Sequence, residues 1–306
     1  MERIRKFTVD SERVKIRLSA IQLCSSSDVK KNLAIIDQEL NKLCAKHAYS
    51  TKLTLEHVVV LPECCLYFGG PAQGELALAQ QSDHGQYFIE QLSTLAKRYQ
   101  VILIAGTIPL LNAEGNKFTN SCCLFTKTGE FIAQYDKIHL FDVNIDDSKK
   151  RYLESADTEA GDHIVVANIH QNPIINVGVS VCYDLRFPEL FRTLTVQGAT
   201  IITVPSAYTK VTGKAHWQAL LQARAIENQV YIIAAGQVGK HENGRETWGH
   251  SMIISPWGDI LSQIDYGVGS ISAIYQPSEI DRIRSTMPVQ EHNQFTIELK
   301  KNEANE

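Results

Sequence analysis

The feature that most constrains this chain of 306 residues is an alternation of apolar strands and amphipathic helices that occurs twice. In the first half, strands are predicted at 14–23 and 57–63. Each is followed by a helix with apolar residues at helical spacing, over 27–48 and 84–99. Three more strands complete this half, and a KTGE turn joins the last two as a hairpin. They are predicted at 101–108, 117–126 and 130–137.

The second half repeats this order of elements without repeating the sequence. A strand predicted to run to Val181 precedes a helix with Pro188 near its start and Gly198 just past its end. A strand over 200–205 and a helix over 213–229 follow. The remaining strands are VYIIAAG, GHSMIIS, ILSQI and GSISAIY. Such an order indicates a mixed sheet covered by helices, so we predict two α/β units whose sheets pack face to face in four layers.

Composition excludes several classes of protein. Hydrophobic residues make up 44% of the chain and charged residues 21%, as in ordinary globular proteins. A formal net charge of −4 disfavours nucleic acid as a partner. No apolar run approaches the roughly 20 residues that span a bilayer, and the stretch MERIRKFTVDSERVK does not resemble a signal peptide. We therefore predict a cytoplasmic protein with no membrane segment.

The cysteines favour reduced thiols over disulfides or a metal site. There are seven, an odd number, and four of them form two adjacent pairs, a poor disulfide framework. The chain has neither a C-x-x-C spacing nor an H-E-x-x-H motif. We expect no metal and no organic cofactor.

Three polar residues stand at the ends of predicted strands, where ligand sites of α/β sheets lie. They are Glu63, Lys137 and Cys182. A thiolate is a strong nucleophile, but a free thiol has a pKa of about 8.5, so a carboxylate is needed to take its proton. An ammonium group can stabilise the negative charge that develops on a substrate oxygen. The three residues together predict acyl transfer.

Structural explanations exist for each of these residues, since a thiol after a strand is usually buried and a terminal Glu or Lys is usually solvated. The chain contains no G-x-S-x-G motif and no phosphate-binding loop. A Cys–His pair that uses His139 or His216 is conceivable. For His216, a packed and hydrogen-bonded position in its helix is the more ordinary expectation.

Four segments decide between these explanations, because together they resemble the nitrilase superfamily of carbon–nitrogen hydrolases. They are LPECCLYFGG, YDKIHLFDV, the long block from VGVSVCYDLRFPELF to GQVG, and RETWGHSMIISPWGDIL. The resemblance implies one hydrolase domain over 14–287 with an αββα sandwich fold, an N-terminal extension at 1–13 and a C-terminal tail at 288–306. It also implies a homodimer, with the tail at its interface.

The resemblance also assigns roles in the site. It implies Glu63 as general base, Lys137 at the oxyanion, Cys182 as nucleophile, and Glu154 as a second active-site glutamate. Asp136 and Ala160 stand where the family usually has Arg and Pro. Neither is a catalytic position, so these differences bear on the shape of loops.

Contacts with the substrate are predicted after the nucleophile and in the PSAYTKVTG segment. The backbone N–H of Tyr183 would help to hold the oxyanion, and Arg186 would bind a substrate carboxylate through its forked guanidinium. Tyr208 and Thr209 would contact the rest of the molecule.

The segments PSAYTKVTGKAHW, QARAIE and GQVG resemble the branch of the family that acts on deaminated glutathione. The expected reaction is hydrolysis of a primary amide, a small molecule, with release of ammonia through a cysteine thioester. Two alternatives stay open: an ω-amidase acting on α-ketoglutaramate or a similar dicarboxylate monoamide, and a catalytically silent scaffold or binding protein.

Overall fold

The structure is a computed structural model that describes residues 15–45, 55–71, 73–145, 151–171 and 174–299. The predicted N-terminal extension and the last residues of the predicted C-terminal tail lie outside these ranges. The division into one domain, an extension and a tail therefore stays a prediction.

Helices and strands alternate along the described residues as follows. The helices are α1 (Val29–Ala45), α2 (Gly74–Gln81), α3 (Gln86–Tyr99), α4 (Pro188–Val196), α5 (Lys210–Asn228) and α6 (Pro277–Thr286). The strands are β1 (Lys15–Gln22), β2 (Leu55–Val60), β3 (Ile102–Ile104), β4 (Ile108–Leu111), β5 (Phe118–Phe125), β6 (Phe131–Asp136), β7 (Asp142–Asn144), β8 (Arg151–Leu153), β9 (Thr158–Glu159), β10 (Val166–Gln171), β11 (Ile174–Val179), β12 (Ile201–Ser206), β13 (Tyr231–Gly236), β14 (Val238–Lys240), β15 (Glu246–Trp248), β16 (Ser251–Ile254), β17 (Ile260–Ile264) and β18 (Gly269–Tyr275).

The first sheet has the strand order β18-β1-β2-β3-β5-β4, and both β6 and β9 also pair with β5. Strands β1, β2 and β3 run parallel, with Leu18 opposite Val58 and Val58 opposite Ile102. Strand β18 returns from the end of the chain to pair antiparallel with β1. The parallel strands end at the same edge, which places the residues after β2 and β6 close together.

The second sheet has the order β10-β11-β12-β13-β16-β17. Its central strands β11, β12 and β13 are parallel, with Val177 opposite Ile201 and Ile201 opposite Tyr231. Antiparallel strands complete both edges. The repeated order of elements in the sequence therefore corresponds to two similar sheets.

Alternate side chains of each central strand face opposite layers. In β2, Val58 and Val60 belong to the same buried cluster as Val177 and Val179 of the second sheet. Val59 instead packs among side chains of α1 and α3. Burial of each such aliphatic side chain contributes roughly 1.5–3 kcal/mol. Strands that are apolar on both faces can be buried only between a helix layer and a second sheet.

Helices α4 and α5 cover the outer face of the second sheet. Leu194 of α4 and Trp217, Leu221 and Ala225 of α5 are buried there, at spacings typical of an amphipathic helix. The layers are therefore α, β, β and α, and the predicted four-layer sandwich is confirmed. Within the described residues, no helix is both long and apolar enough to cross a membrane.

The strand predicted at 101–108 is two strands, β3 and β4. Gly106 separates them with a φ of +60°, and a Cβ at that position would lie 2.0 Å from the carbonyl oxygen of Pro62. Only glycine fits so close to the loop that carries Glu63, so the break in the strand is required by the neighbouring backbone. Helices α2 and α6 and strand β10 were not predicted.

Candidate active site

The predicted nucleophile lies at a sharp turn between β11 and α4. Cys182 begins a short 3₁₀ helix, Cys182–Arg186, and adopts a φ of 49°. A positive φ is uncommon outside glycine, and such backbone outliers cluster at functional sites. Cys182 is only 7% exposed, so its thiol is largely buried. It reaches solvent through a cavity.

The turn is held in place by the carboxylate of Asp184. One oxygen accepts hydrogen bonds from the Tyr135 hydroxyl at 2.7 Å and the Val181 backbone N–H at 2.8 Å. The other contacts the backbone N–H of His139 at 3.1 Å and its Nδ1 at 2.7 Å. Asp184 is fully buried. The conformation of Cys182 therefore depends on contacts from β6 and the loop after it.

Glu63 and Lys137 form a buried ion pair. The Lys137 Nζ lies 2.8 Å from Glu63 Oε1, and both side chains are almost inaccessible to solvent. The other oxygen, Oε2, accepts a hydrogen bond from the backbone N–H of Ala207 at 2.8 Å. The Cys182 thiol lies within hydrogen-bonding reach of the same carboxylate. The structure thus brings together the three residues that the sequence places at strand ends.

Glu154 joins this cluster from the segment after β8. Lys137 Nζ donates to its two oxygens at 3.0 and 2.8 Å, and the Phe141 backbone N–H donates to Oε2 at 2.7 Å. The Asn120 amide bridges the two glutamates, at 3.2 Å from each. Lys137 is therefore fixed between two carboxylates, with its charge held at one point.

Burial and mutual attraction shift the ionisation of these groups in opposite directions. Burial favours a neutral Lys137, but Glu154 and Glu63 outweigh it and raise the pKa of the ammonium well above its usual value. Burial also opposes the charge of Glu63, yet Lys137 lowers its pKa below the usual value. Burial and the charge of Glu63 raise the pKa of the Cys182 thiol well above its normal value. The resting site holds a carboxylate, an ammonium and a neutral thiol.

The cavity at this site has a volume of about 680 Å³. Cys182, Lys137 and Glu63 lie in its wall, with Tyr183 and Tyr208 beside them. The Tyr208 hydroxyl is buried and has no hydrogen-bond partner among the described residues. A buried hydroxyl without a partner is costly, so this group is suited to bind a ligand.

Two predicted contact residues are placed differently. Thr209 is not in the cavity wall: it caps α5, where its hydroxyl accepts a hydrogen bond from Thr212 N. The capping explains why α5 begins three residues before the predicted helix. Arg186 is not among the residues of the cavity wall, and its guanidinium lies 5.6 Å from the centre of the Tyr208 ring and 6.0 Å from that of Tyr183.

The histidines considered as alternative bases are not in the cavity wall. His139 contacts Asp184 and stacks on Phe187, with ring centres 3.6 Å apart. His216 is exposed, where we expected it to be packed, and its Nδ1 lies 3.3 Å from both Nη atoms of Arg186. Glu63, and neither histidine, is therefore the candidate base that lies close to the thiol.

Comparison with known proteins agrees with this geometry. Carbon–nitrogen hydrolases as a family match residues 17–284, nearly the whole chain. The chain belongs to the carbon–nitrogen hydrolase family. The family resemblance found in the sequence and the expectation of an amidohydrolase are both confirmed.

Several relatives of this carbon–nitrogen hydrolase have a named activity. A deaminated glutathione amidase from Yersinia enterocolitica is 41% identical over 92% of this chain and 94% of its own. A deaminated glutathione amidase from Synechocystis is 38% identical over 90% of this chain and 97% of its own. The omega-amidase NIT2-B of Xenopus laevis is 32% identical over 94% of this chain and 99% of its own.

Solved structures show the same fold. The NitFhit protein of C. elegans has a TM-score of 0.82 and 32% identity, and the match covers 95% of this chain and 69% of that one. Saccharomyces cerevisiae Nit3, a member of branch 10 of the nitrilase superfamily, has a TM-score of 0.77 and 27% identity over 92% and 97% of the two chains.

Sequence reasoning missed several residues of this hydrolase site. Asn120 connects the two glutamates, and Asp184 fixes the turn. A buried amide near the start of strand β5 was the only local signal for Asn120, and an acid two residues past the nucleophile was the signal for Asp184. Arg245 also lines the cavity, from the loop between β14 and β15. Arg245 is far along the chain from the other residues of the site, so no local sequence pattern indicated that it belongs there.

The residues present can transfer an acyl group without further components. They provide a nucleophile, a base within reach of it, and a fixed cation. Across the described residues, no three His, Cys, Asp or Glu side chains are grouped as a metal site would require.

Proposed function

We propose that this carbon–nitrogen hydrolase cleaves deaminated glutathione through a thioester on Cys182. The observation that carries the mechanism is the cluster in which Glu63 lies between the ammonium of Lys137 and the thiol of Cys182. The observation that favours the substrate is the 38–41% identity to relatives named deaminated glutathione amidases. The cavity of about 680 Å³ has space for more than a small monoamide.

Acylation begins with the transfer of the thiol proton to Glu63 as the sulfur attacks the amide carbon. The pKa of Glu63 is low and that of Cys182 is high, so a free thiolate does not accumulate. Proton transfer is therefore coupled to formation of the C–S bond, which removes the negative charge from the sulfur. This coupling protects the thiol from unwanted reactions when no substrate is bound.

Lys137 can still bind the oxyanion although two glutamates hold it. An ammonium group has three N–H bonds. Its nitrogen lies 2.8 Å from Glu63 Oε1, and 3.0 and 2.8 Å from the two oxygens of Glu154. In the proposed mechanism one N–H serves each glutamate, and the third donates to the oxyanion together with the backbone N–H of Tyr183. The cation is oriented before the substrate arrives.

The leaving amine takes the proton from Glu63, and a water molecule activated by Glu63 then hydrolyses the thioester. In deaminated glutathione the scissile amide joins a 2-oxoglutaryl group to cysteinylglycine, so the amine that leaves is this dipeptide. The release of ammonia expected from the sequence therefore applies to α-ketoglutaramate, a primary amide, and not to deaminated glutathione. Both substrates give the same 2-oxoglutaryl thioester, and the free Tyr208 hydroxyl is placed to contact that acyl group.

An ω-amidase is the second candidate function, favoured by the relative of that name at 32% identity. The common product 2-oxoglutarate gives one assay for both substrates. We expect a higher kcat/KM for deaminated glutathione, because contacts with the dipeptide can lower the barrier to acylation. An equal or higher value for α-ketoglutaramate would move the assignment to an ω-amidase.

The thioester is tested by intact mass spectrometry. We expect Cys182→Ala to be folded and inactive, and Glu63→Gln to lose about 100- to 10,000-fold in turnover. Cys44→Ser is the matched control, since that thiol lies on α1 and not in the cavity wall. Rapid quenching of the wild type should show one 2-oxoglutaryl adduct. Activity in Cys182→Ala would exclude the mechanism, and a folded wild type inactive on every amide would indicate a silent scaffold.

The assembly and compartment are further proposals. Ile226 on α5 is 47% exposed and Trp257 is 56% exposed, and Ile226 packs next to Gly258, so the two form one apolar patch. Exposed apolar patches mark interaction sites, and we propose that this one belongs to a homodimer interface. All seven cysteines are free thiols, as expected in a reducing compartment, and we propose the cytoplasm.

A further inference from the structure

Part of the cavity wall comes from the loop between β14 and β15. Asn243, Gly244 and Arg245 of this loop line the cavity, as do Tyr67 and Tyr152. The loop is anchored by His241, whose Nδ1 lies 3.0 Å from the carbonyl oxygen of Ser25. None of the proposed catalytic side chains belongs to this loop, so its side chains are available to parts of the substrate other than the scissile amide.

Arg245 is held there by aromatic rings. The carbon at the centre of its guanidinium lies 4.7 Å from the centre of the Phe68 ring and 5.0 Å from that of Tyr152. Such contacts fix the plane of the group and leave its N–H donors at the edges. Within the described parts of the chain, no carboxylate lies within 4.0 Å of Arg245, whereas Lys137 is paired with two. Arg245 is thus an oriented cation without an anion.

Glu75, an acid that interacts with Arg245, does not cancel this charge at neutral pH. Glu75 lies in the same wall and interacts electrostatically with Arg245. Burial, reinforced by the charges of Glu154 and Glu63, raises the pKa of Glu75 to about 7. A large fraction of Glu75 is therefore protonated near pH 7, and the positive charge of Arg245 remains available to a ligand.

We propose that Arg245 binds a carboxylate at the leaving-group end of the substrate, and so selects amides whose amine portion is an anionic peptide. This rests on the proposed function for the identity of the substrate. In deaminated glutathione the group bound is the glycine carboxylate of the cysteinylglycine unit. The leaving group of α-ketoglutaramate is ammonia, so this molecule has no carboxylate at the leaving-group end.

The proposed contact acts on one half of the reaction. Deaminated glutathione and α-ketoglutaramate form the same thioester, so hydrolysis of that thioester proceeds after the dipeptide has left. Arg245 therefore changes kcat/KM, which reports acylation, and does not change the rate of deacylation. A charge-assisted hydrogen bond of this kind corresponds to about 10- to 100-fold in kcat/KM.

The experiment compares deaminated glutathione with its glycine methyl ester, which lacks the negative charge of the glycine carboxylate and keeps that of the 2-oxoglutaryl group. The readout is the ratio of their kcat/KM values, measured as 2-oxoglutarate formed, in wild type, Arg245→Gln and Arg282→Gln. The ratio cancels general damage to the fold. We expect a ratio of at least about 10 in the wild type, a ratio below about 3 in Arg245→Gln, and no change in the ratio for Arg282→Gln, whose exposed side chain lies on α6.

A wild-type ratio near 1, or a ratio that Arg245→Gln leaves unchanged, would overturn the proposal. Binding of both probes to Cys182→Ala, measured by calorimetry, separates it from the proposed function. One outcome supports the anion site and contradicts the proposed substrate. In it, the wild type cleaves only α-ketoglutaramate, Cys182→Ala binds the free acid at least about tenfold better than the ester, and Arg245→Gln abolishes that difference. Absence of both turnover and this preference would refute both.

Discussion

Lys137 is the residue on which the charge balance of the site depends. It is buried with two carboxylates, and the three groups are acceptable in the interior only because each satisfies the others. Its loss would leave two like charges close together without a cation. In the proposed mechanism the same ammonium contributes both to the stability of the fold and to that of the transition state.

We predict that Lys137→Met lowers turnover by about 100- to 1,000-fold or more, as for the loss of one oxyanion donor. It should also lower the free energy of unfolding by about 3–5 kcal/mol, the cost of breaking a buried ion pair. Lys127→Met is the control, because its 2.6 Å pair with Glu56 has a half-exposed lysine. Such pairs contribute about 0–1 kcal/mol. A tenfold loss or less in Lys137→Met would make this residue peripheral to catalysis.

Glu75 gives a prediction about pH. Its folded-state pKa of about 7 lies above the ordinary value of 4.5, mainly because of burial. The folded protein then binds more protons than the unfolded chain between these two values, so this group makes stability fall as pH rises from about 4.5 to about 7. Glu75→Gln removes the effect. The difference in melting temperature, variant minus wild type, should therefore be larger at pH 8 than at pH 5.

Thermal unfolding of both proteins at the two pH values is a sufficient test. An unchanged difference between pH 5 and pH 8 would mean that Glu75 ionises normally in the folded protein. The Glu90→Gln variant, on the exposed side of α3, controls for the loss of a surface charge.

At the scale of elements, the turn after β11 decides whether the thiol is correctly aimed. Asp184 accepts hydrogen bonds at both oxygens, and an asparagine can accept at only one. We predict that Asp184→Asn lowers kcat/KM by about tenfold or more, since a displacement of about 1 Å at a nucleophile can cost 100-fold.

The readout that separates positioning from unfolding is the rate of alkylation of Cys182 by iodoacetamide. It should change in Asp184→Asn while far-ultraviolet circular dichroism does not. The control is Asp259→Asn, whose exposed side chain lies in the turn before β17. Wild-type kinetics in Asp184→Asn would show that the turn is fixed by other contacts.

The central strands and amphipathic helices were predictable because both faces of each strand are buried and each helix has one apolar face. Other elements carried weaker signals. The segment GELALAQQ of α2 has no clear apolar face, and α6 has only Ile280 and Ile283 to bury. The break between β3 and β4 depends on Pro62, which is distant in sequence from Gly106. Such contacts belong to the tertiary structure.

The same distinction applies to the site. Glu63, Lys137 and Cys182 could be proposed because each follows a strand, and the structure brings them together. Arg186 was expected to bind a substrate carboxylate, but it is not among the residues that line the cavity, although its guanidinium lies near the rings of Tyr183 and Tyr208, which do. Arg245 enters the cavity from a hairpin loop, a position that no pattern along the chain indicates. Which loops meet at the site depends on how the two sheets pack, and no single segment of the sequence shows that packing.

At the scale of the whole molecule, α4 and α5 form one outer layer, and Ile226 of α5 joins Trp257, from the turn between β16 and β17, in the exposed patch. We predict that light scattering reports about twice the chain mass of 34.2 kDa. Ile226→Glu should shift the protein to monomers. Tyr87→Glu, at a residue 41% exposed on α3 in the opposite layer, should not. A wild-type monomer at micromolar concentration would contradict the proposed dimer.

The hydrogen bond from Ala207 to Glu63 has a consequence for how the enzyme becomes active as it folds. Glu63 and Lys137 follow strands of the first sheet, whereas Cys182 and Ala207 follow strands of the second. A newly made chain in which a single sheet has formed holds either the base or the thiol, never both. The cluster is therefore complete only when the two sheets have packed together, so neither sheet alone can carry out the proposed hydrolysis.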